Sequence, residues 1–380
     1  MSPKKIYNIA VTVIITATLS FMTASAFYNG KLFVKPGGHS RLNSVISVLD
    51  EYYYEDYNKG KAYDAAVKGY VKSLGDPYTE YMTKAELEKF NDFINSSYCG
   101  IGVTVQNNTE DNTLLIIDVF ENSPAKKAGI EPGDIIKKVK GVEYTGEQLE
   151  EATTNIQGEE GTDVEITILK KSTGKEVDLT ITRKSIQIDS VVSEVVEDNI
   201  GYIGISQFAT NTVLEFTEQL DGLIKQGIKG IVIDVRDNGG GITTAVEAVA
   251  DCLLKKGDVI YYTADKHGNK KYVKSKIDGI DLPVVVVANE NSASASEILV
   301  AAVKDNNRGV IVGKKTYGKG VVQQLITLTD DTAIKVTTEK YFTPNGDFIH
   351  KKGIEPDYVV ELDGVKDTQL EKAIEILKNQ

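Results

Sequence analysis

The chain opens on a stretch that is apolar on every side. After Lys4 and Lys5 no charged residue occurs until Lys31, and residues 9–27 are almost wholly apolar. A run of this length is about long enough to cross the hydrocarbon layer, with its basic end held on the cytoplasmic side. Residues 1–30 are therefore predicted to be a membrane anchor or signal segment, and everything after them to be extracytoplasmic. Ala24-Ser25-Ala26 has the small-x-small form of a signal-peptidase site, so retention at the cell membrane and cleavage with secretion both stay open. Between 40 and 97 the pattern becomes helical. Val45, Ile46, Val48 and Leu49, then Ala65, Ala66, Tyr70, Val71 and Leu74, recur at three-to-four spacing. Gly75-Asp76-Pro77 ends that helix, and Thr83-Lys84-Ala85-Glu86 is a capping box opening another through Phe93. The region reads as structural, with no chemistry of its own.

From 98 to 183 the pattern shortens to strands and turns. Residues 114–117 are β-rich, Ser123-Pro124-Ala125 opens a short helix ended by Gly129, and Glu131-Pro132-Gly133-Asp134 is a turn before a strand with Ile135, Ile136 and Val139. From 186 to 380 strands alternate with helices. Residues 201–208 and 231–235 read as strands, the second followed by Arg236-Asp237-Asn238-Gly239-Gly240-Gly241 and a helix through Ala250. Residues 283–288 form a third, leading through Asn289-Glu290-Asn291 into a helix whose first turns are Ser292-Ala293-Ser294-Ala295-Ser296-Glu297. Such units predict a layered α/β domain with its active loops at strand ends. A last helix over 367–377 closes the chain. The fold class is thus α/β and multi-domain, with segments 1–30, 40–97, 98–183 and 186–380.

Charge narrows the function classes. With 43 Lys+Arg against 55 Asp+Glu the net charge is −12, and no basic block supplies the face that nucleic-acid phosphates require. Cys99 and Cys252 lie far apart with no metal-like spacing, and the three histidines, His39, His267 and His350, are isolated. If the chain is a hydrolase, something other than histidine takes the proton.

Two lysine-centred readings compete. Gly313-x-x-x-x-Gly318-Lys319 has phosphate-loop spacing, but Gly320 stands where a Ser or Thr must ligate magnesium, and residues 321–326 read as a strand where a helix must open. A serine near a strand-to-helix junction is the better partner for Lys319. Helix N-terminal amides there stabilise negative charge. A lysine between two glycines can be drawn into a desolvated pocket, where its neutral amine accepts the serine proton. Spacing alone does not choose among Ser292, Ser294 and Ser296, and serine-rich helix starts are usually only caps.

Two resemblances add to this. Asn122 to Ile136 carries N-S-P-A-x-x-A-G-I-x-P-G-D-x-I, which resembles a PDZ domain, supported by Gly158-x-x-Gly161-Thr162 and the strand at 164–169. The resemblance implies that Gly100, Ile101, Gly102 and Val103 form the loop whose N–H groups receive a free C-terminal carboxylate while the peptide adds as a strand. The segment from Asn291 to Ile298, then Gly318-Lys319-Gly320-x-x-Gln323, is similar to the carboxy-terminal processing (tail-specific) peptidases, a family of Ser-Lys serine peptidases. Asp234-Val235-Arg236-x-Asn238-x-Gly240-Gly241, Tyr341-Phe342-Thr343-Pro344-x-Gly346 and Gly353-Ile354-x-Pro356-Asp357 match further parts, and the order of all segments agrees.

That likeness implies a ClpP/crotonase-like peptidase domain with Ser294 as nucleophile and Lys319 as base. It also implies that Gln323 holds the lysine and that the amides of Gly240 and Ala295 form the oxyanion hole. No cofactor and no metal is implied. Partners would be protein or peptide substrates with free C-termini and, through the N-terminal segment, the membrane; a homo-oligomer is compatible with the sequence. Gly239 stands where many relatives carry proline, and Gln157 where they often carry a basic residue linking the PDZ domain to the active site. His350, in the closing hairpin, is read as a surface or packing residue. The other function class compatible with the segments is a catalytically silent PDZ scaffold.

Overall fold

The computed structural model describes residues 38–364 and 366–379; the apolar run at 9–27 lies outside them. Among the described residues no helix is long and apolar enough to cross a membrane. The described chain divides between Ala66 and Val67 into two compact units. The first holds helix α1 (Gly38–Tyr52) and the start of α2 (Lys59–Lys72). Their apolar stripes, with Leu42, Val45, Ile46 and Leu49 on α1 and Ala62, Tyr63 and Ala66 on α2, line one pocket of about 210 Å³.

Within the second unit, the predicted capping box forms at Thr83 and Glu86 and starts α3 (Lys84–Ile94). The β-rich segment is an antiparallel sheet in the order β3 (Val103–Asn108), β4 (Thr113–Val119), β5 (Ile135–Val139), β7 (Asp163–Leu169), β8 (Glu176–Thr182), with β6 (Val142–Glu143) on β5. Helices α4 (Pro124–Lys127), capped by the Ser123 hydroxyl, and α5 (Leu149–Ile156) cover its core of Ile101, Leu114, Ile116, Ile136 and Ile168. A two-stranded pair, β2 (Ser97–Gly100) with β9 (Lys184–Gln187), ties both ends of this domain together.

The α/β domain is built on a six-stranded sheet, β10 (Val191–Val196), β11 (Ile200–Ile205), β12 (Gly230–Asp234), β15 (Val284–Ala288), β16 (Gly309–Gly313) and β19 (Tyr358–Val359). All neighbours are parallel except β10 with β11. Every residue of β12 and β15 is buried, the mark of a parallel sheet covered on both faces. Alternation then sorts the side chains. Ile231, Ile233, Val284 and Val286 pack on one face with α6 (Thr212–Lys225), α7 (Thr243–Leu253) and α8 (Ala295–Asp305). Val232, Val285 and Val287 turn to the other, against Ala373, Ile374 and Leu377 of α9 (Thr368–Lys378). A second sheet contains β1 (Glu80–Met82), β18 (Ala333–Phe342), β13 (Val259–Asp265) and β14 (Lys270–Lys274), with β17 (Val321–Thr327) also on β18. Strand β1 belongs by sequence to the helical region, yet it pairs with Ala333, Ile334 and Lys335.

Candidate active site

The helix after β15 begins later than its pattern predicted. It starts at Ala295, with Ser294 at the N-cap and Ser292 and Ala293 in the preceding turn. The reason lies in the hydroxyls on either side. Ser292 Oγ donates to Val235 O at 2.7 Å and accepts from Asn289 N at 2.9 Å, which folds the turn back onto β12. Ser296 Oγ donates to Asn238 O at 2.9 Å. Both serines are fully buried. Ser294 is only half-buried and sits at φ 55°, ψ −112°, a left-handed conformation that costs a non-glycine residue on the order of 1–3 kcal/mol and recurs where a side chain must be presented. The Ala295 N–H beside it is first in the helix and has no intrahelical acceptor.

Glu297 organises this turn, a role its place in the serine-rich motif did not disclose. Its side chain is fully buried, and it collects four donors. Oε2 accepts from Ser294 N at 2.9 Å and Lys319 N at 2.8 Å, and Oε1 from Gly318 N at 2.7 Å and Thr316 Oγ1 at 2.6 Å. One carboxylate therefore fastens the serine turn to the loop between β16 and β17. That loop leads into a strand and not a helix, so the phosphate-loop reading lacks its anion site. Gly318 has φ +92°, and a Cβ there would lie 2.8 Å from Gly353 N; only glycine lets the closing hairpin come this near.

Lys319 is mostly buried, and burial first, then the charge of Lys335, lowers its pKa from the ordinary lysine value, with Glu297, Glu80 and Asp76 opposing. Its Nζ lies 4.9 Å from the ring centroid of Tyr78. Among the described residues no hydrogen bond joins it to Ser294 Oγ. Nothing in the pattern of 40–97 pointed to chemistry, yet Tyr78 of that region faces the lysine. Among the described residues no hydrogen bond joins Gln323 to Lys319; the Gln323 Nε2 donates to Thr337 Oγ1 at 3.3 Å. His350 accepts from Gly320 N at 3.4 Å and packs between Tyr78 and Phe348.

Gly240 lies against the serine turn. A Cβ there would be 2.8 Å from Ala293 O, 2.9 Å from Ser294 Cβ and 3.0 Å from Ala295 N, at φ +104°. Its N–H is given to Asn238 Oδ1 at 2.8 Å. Asn238 is itself buried, with Nδ2 on Ile205 O and its carbonyl on Ala293 N. The loop's base is set by Arg236, which spans Asp234 and Asp367 and so fastens β12 to the start of α9. Burial opposes ionisation of Asp367, and the Arg236 guanidinium outweighs it, leaving its pKa lowered.

In the β-rich domain Gly100 ends β2, Ile101 and Gly102 turn, and Val103 begins β3. Ile101 O and Gly102 O accept from Ala125 N and Phe120 N, so the carbonyls of the turn are held inward. A narrow groove of about 40 Å³ runs between this loop and α5, lined by Ile101, Gly102, Val103, Thr153, Ile156 and Gln157, with Tyr98 at its side. Arg183 is buried and donates to Asn155 O and Ile156 O at the end of α5. Among the described residues no group of three or more His, Cys, Asp or Glu is arranged to hold a metal ion.

Comparison with known proteins agrees with this layout. The Peptidase family S41 model matches residues 199–360, a PDZ domain model residues 99–187, and a model of the activating protease CtpB N-terminal domain residues 27–86. The chain is 34% identical over 363 residues to the carboxy-terminal processing protease CtpA of Bacillus subtilis (strain 168), covering 94% of this chain and 77% of that one. It is 36% identical over 325 residues to CtpB of the same organism, covering 84% and 67%. Among solved structures it is similar to a photosystem II D1 C-terminal processing protease, with 28% identity, TM-score 0.52, and coverage of 87% of this chain and 90% of that one. From segment order, fold and these likenesses, the chain belongs to the carboxy-terminal processing proteases of peptidase family S41, serine-type peptidases that here carry a PDZ domain.

Proposed function

We propose that this protease cuts protein substrates near their C-termini with a Ser294–Lys319 dyad, on the outer side of the cell membrane. One observation carries the dyad: of the three serines in the motif, Ser292 and Ser296 spend their hydroxyls on buried carbonyls, while Ser294 stands half-exposed on a strained turn at a helix start. Glu297 holds the Lys319 backbone on the same oxygen as the Ser294 backbone. The shared carboxylate thus holds the two backbones from which Oγ and the amine extend.

In the reaction neutral Lys319 takes the Ser294 proton as Oγ attacks the scissile carbonyl, and returns it to the departing amine. Water then hydrolyses the acyl-enzyme with the same base. The oxyanion is received by the Ala295 N–H and by the Gly240 N–H, which must be shared with Asn238 Oδ1. Gln323 would steady the amine after releasing Thr337. The PDZ loop, Gly100 to Val103, would select a substrate's free carboxylate. Export rests on Lys4, Lys5 and the apolar run at 9–27.

Cleavage of a tailed peptide by Ser294→Ala and Lys319→Ala proteins tests the dyad. Both should be folded and inactive, and retention of activity by Lys319→Ala would remove the lysine from the mechanism. Protease accessibility on intact protoplasts tests the location; digestion only after lysis would refute export.

A further inference from the structure

The environment of the Lys319 amine assigns a part to a residue from outside the peptidase motifs. The backbone of Lys319 is pinned on both sides. Gly318 N is on Glu297, Gly318 O accepts from Lys351 N, and Gly320 O accepts from Tyr341 N, so only the side-chain torsions of Lys319 are free. Its amine has no hydrogen-bond acceptor among the described residues, and it rests 4.9 Å from the centre of the Tyr78 ring, within the reach of a cation–π contact.

The ring is itself fixed. Asp76 accepts from Tyr78 N at 3.0 Å and from Thr79 Oγ1 at 2.6 Å, and Thr79 Oγ1 in turn accepts from Thr337 N at 3.0 Å. The next residue, Glu80, is in register with Lys335 in the sheet. His350 packs edge-on against the Tyr78 ring at 6.0 Å, and the phenol, raised in pKa first by burial, lies beside Tyr317. Turn 75–79 is thereby built into the peptidase sheet and delivers one aromatic face to one amine.

We infer that Tyr78 is a positioning residue for Lys319: its ring face seats the ammonium before the amine turns to Ser294. This rests on the reading of Lys319 as the base. The ring's negative face attracts the charged amine and not the neutral one, so Tyr78 raises the proton affinity that burial and Lys335 depress. The other charged groups acting on the amine are Lys335 on β18, Glu80 on β1, Asp76 on the turn and Glu297 on α8; His350 on the hairpin packs against the same Tyr78 ring. Removing the ring but keeping apolar bulk moves the pH at which the base becomes neutral downward.

The test is the pH profile of kcat/KM for Tyr78→Leu and Tyr78→Phe. Tyr78→Leu should shift the rising limb to lower pH by about half to one and a half units, the span of a cation–π contact expressed as proton affinity. Tyr78→Phe, which keeps the face, should leave the limb in place. Replacement of Tyr78 by pentafluorophenylalanine, which keeps the ring's shape and cancels its attraction for a cation, should reproduce the Leu shift, and it decides the matter if Tyr78→Leu fails to fold. An unmoved limb in the fluorinated protein, or a Tyr78→Phe shift as large as that of Leu, overturns the inference. Activity in Lys319→Ala would instead remove the base on which it rests.

Discussion

The backbone N–H groups of Ser294 and Lys319 donate to one carboxylate oxygen, Glu297 Oε2, at 2.9 Å and 2.8 Å. Two segments separated by a helix and a strand are thus held in one place by a single buried side chain. An amide at position 297 has the same shape but carries hydrogens on one of its two terminal atoms, so at least one pair of donors would face another donor. Glu297→Gln should lower kcat/KM by about 100-fold, the scale on which small misplacement of catalytic groups is felt. It should also lower stability by about 1–3 kcal/mol, the cost of unsatisfied buried groups. Peptide hydrolysis and thermal melts on the same protein check both.

Ser292→Ala separates architecture from chemistry. Its hydroxyl bonds Val235 O and Asn289 N in a site closed to water, so the loss should appear in stability, about 1–3 kcal/mol, with catalysis retained once the protein is folded. Ser294→Ala should do the reverse. The Ser294→Ala, Lys319→Ala double variant should be no less active than either single one, because dyad members act as a unit. Inactivity of a folded Ser292→Ala protein would move the nucleophile.

The lowered pKa of Lys319 has two consequences of defined sign. Activity should rise with pH as the neutral amine accumulates, and the rise should centre below the ordinary lysine value of 10.5. Stability follows by linkage. Between the folded pKa and the unfolded one, the unfolded chain binds more protons, so stability contributed by this group increases with pH. Below the folded pKa the buried charge is a constant cost. Lys319→Met should therefore melt higher than the natural protein near pH 7, with the gap narrowing toward pH 10.5. Calorimetric scans across that range measure it.

Carboxylate recognition by the PDZ loop is checked with one peptide pair, a free acid and its C-terminal amide, binding to the full-length Ser294→Ala protein. Charge-assisted bonds from loop amides are each worth about 1.5–3 kcal/mol, so the amide should bind roughly ten- to a hundredfold more weakly. Equal binding of the two would exclude the loop as a terminus reader.

Much of this fold was legible as local pattern. The capping box at Thr83 and Glu86, the Ser123 cap, strand β17 after Gly320 and the buried strands Gly230–Asp234 and Val284–Ala288, read from the pattern at 231–235 and 283–288, each arise from residues adjacent in the chain. Their periodicity and turn chemistry hardly depend on anything distant. The start of α8 was misjudged by three residues because Ser292 finds a better acceptor across the sheet, at Val235 O, than in its own helix.

For the site, the motifs determined which residue types are present, and resemblance supplied roles for Ser294, Lys319, Gln323, Gly240 and Ala295. Tertiary structure decided how they stand. It brought Glu297 under both the Ser294 turn and the Lys319 loop, turned Gln323 to Thr337, gave the Gly240 amide to Asn238, and carried Tyr78 to Lys319 on the turn that leads into strand β1. The physical reason is range. Helix caps, strand alternation and turns are satisfied within a few residues. A buried carboxylate, an unpaired amine or a glycine against a backbone can be satisfied only by whatever the folded sheet places beside it.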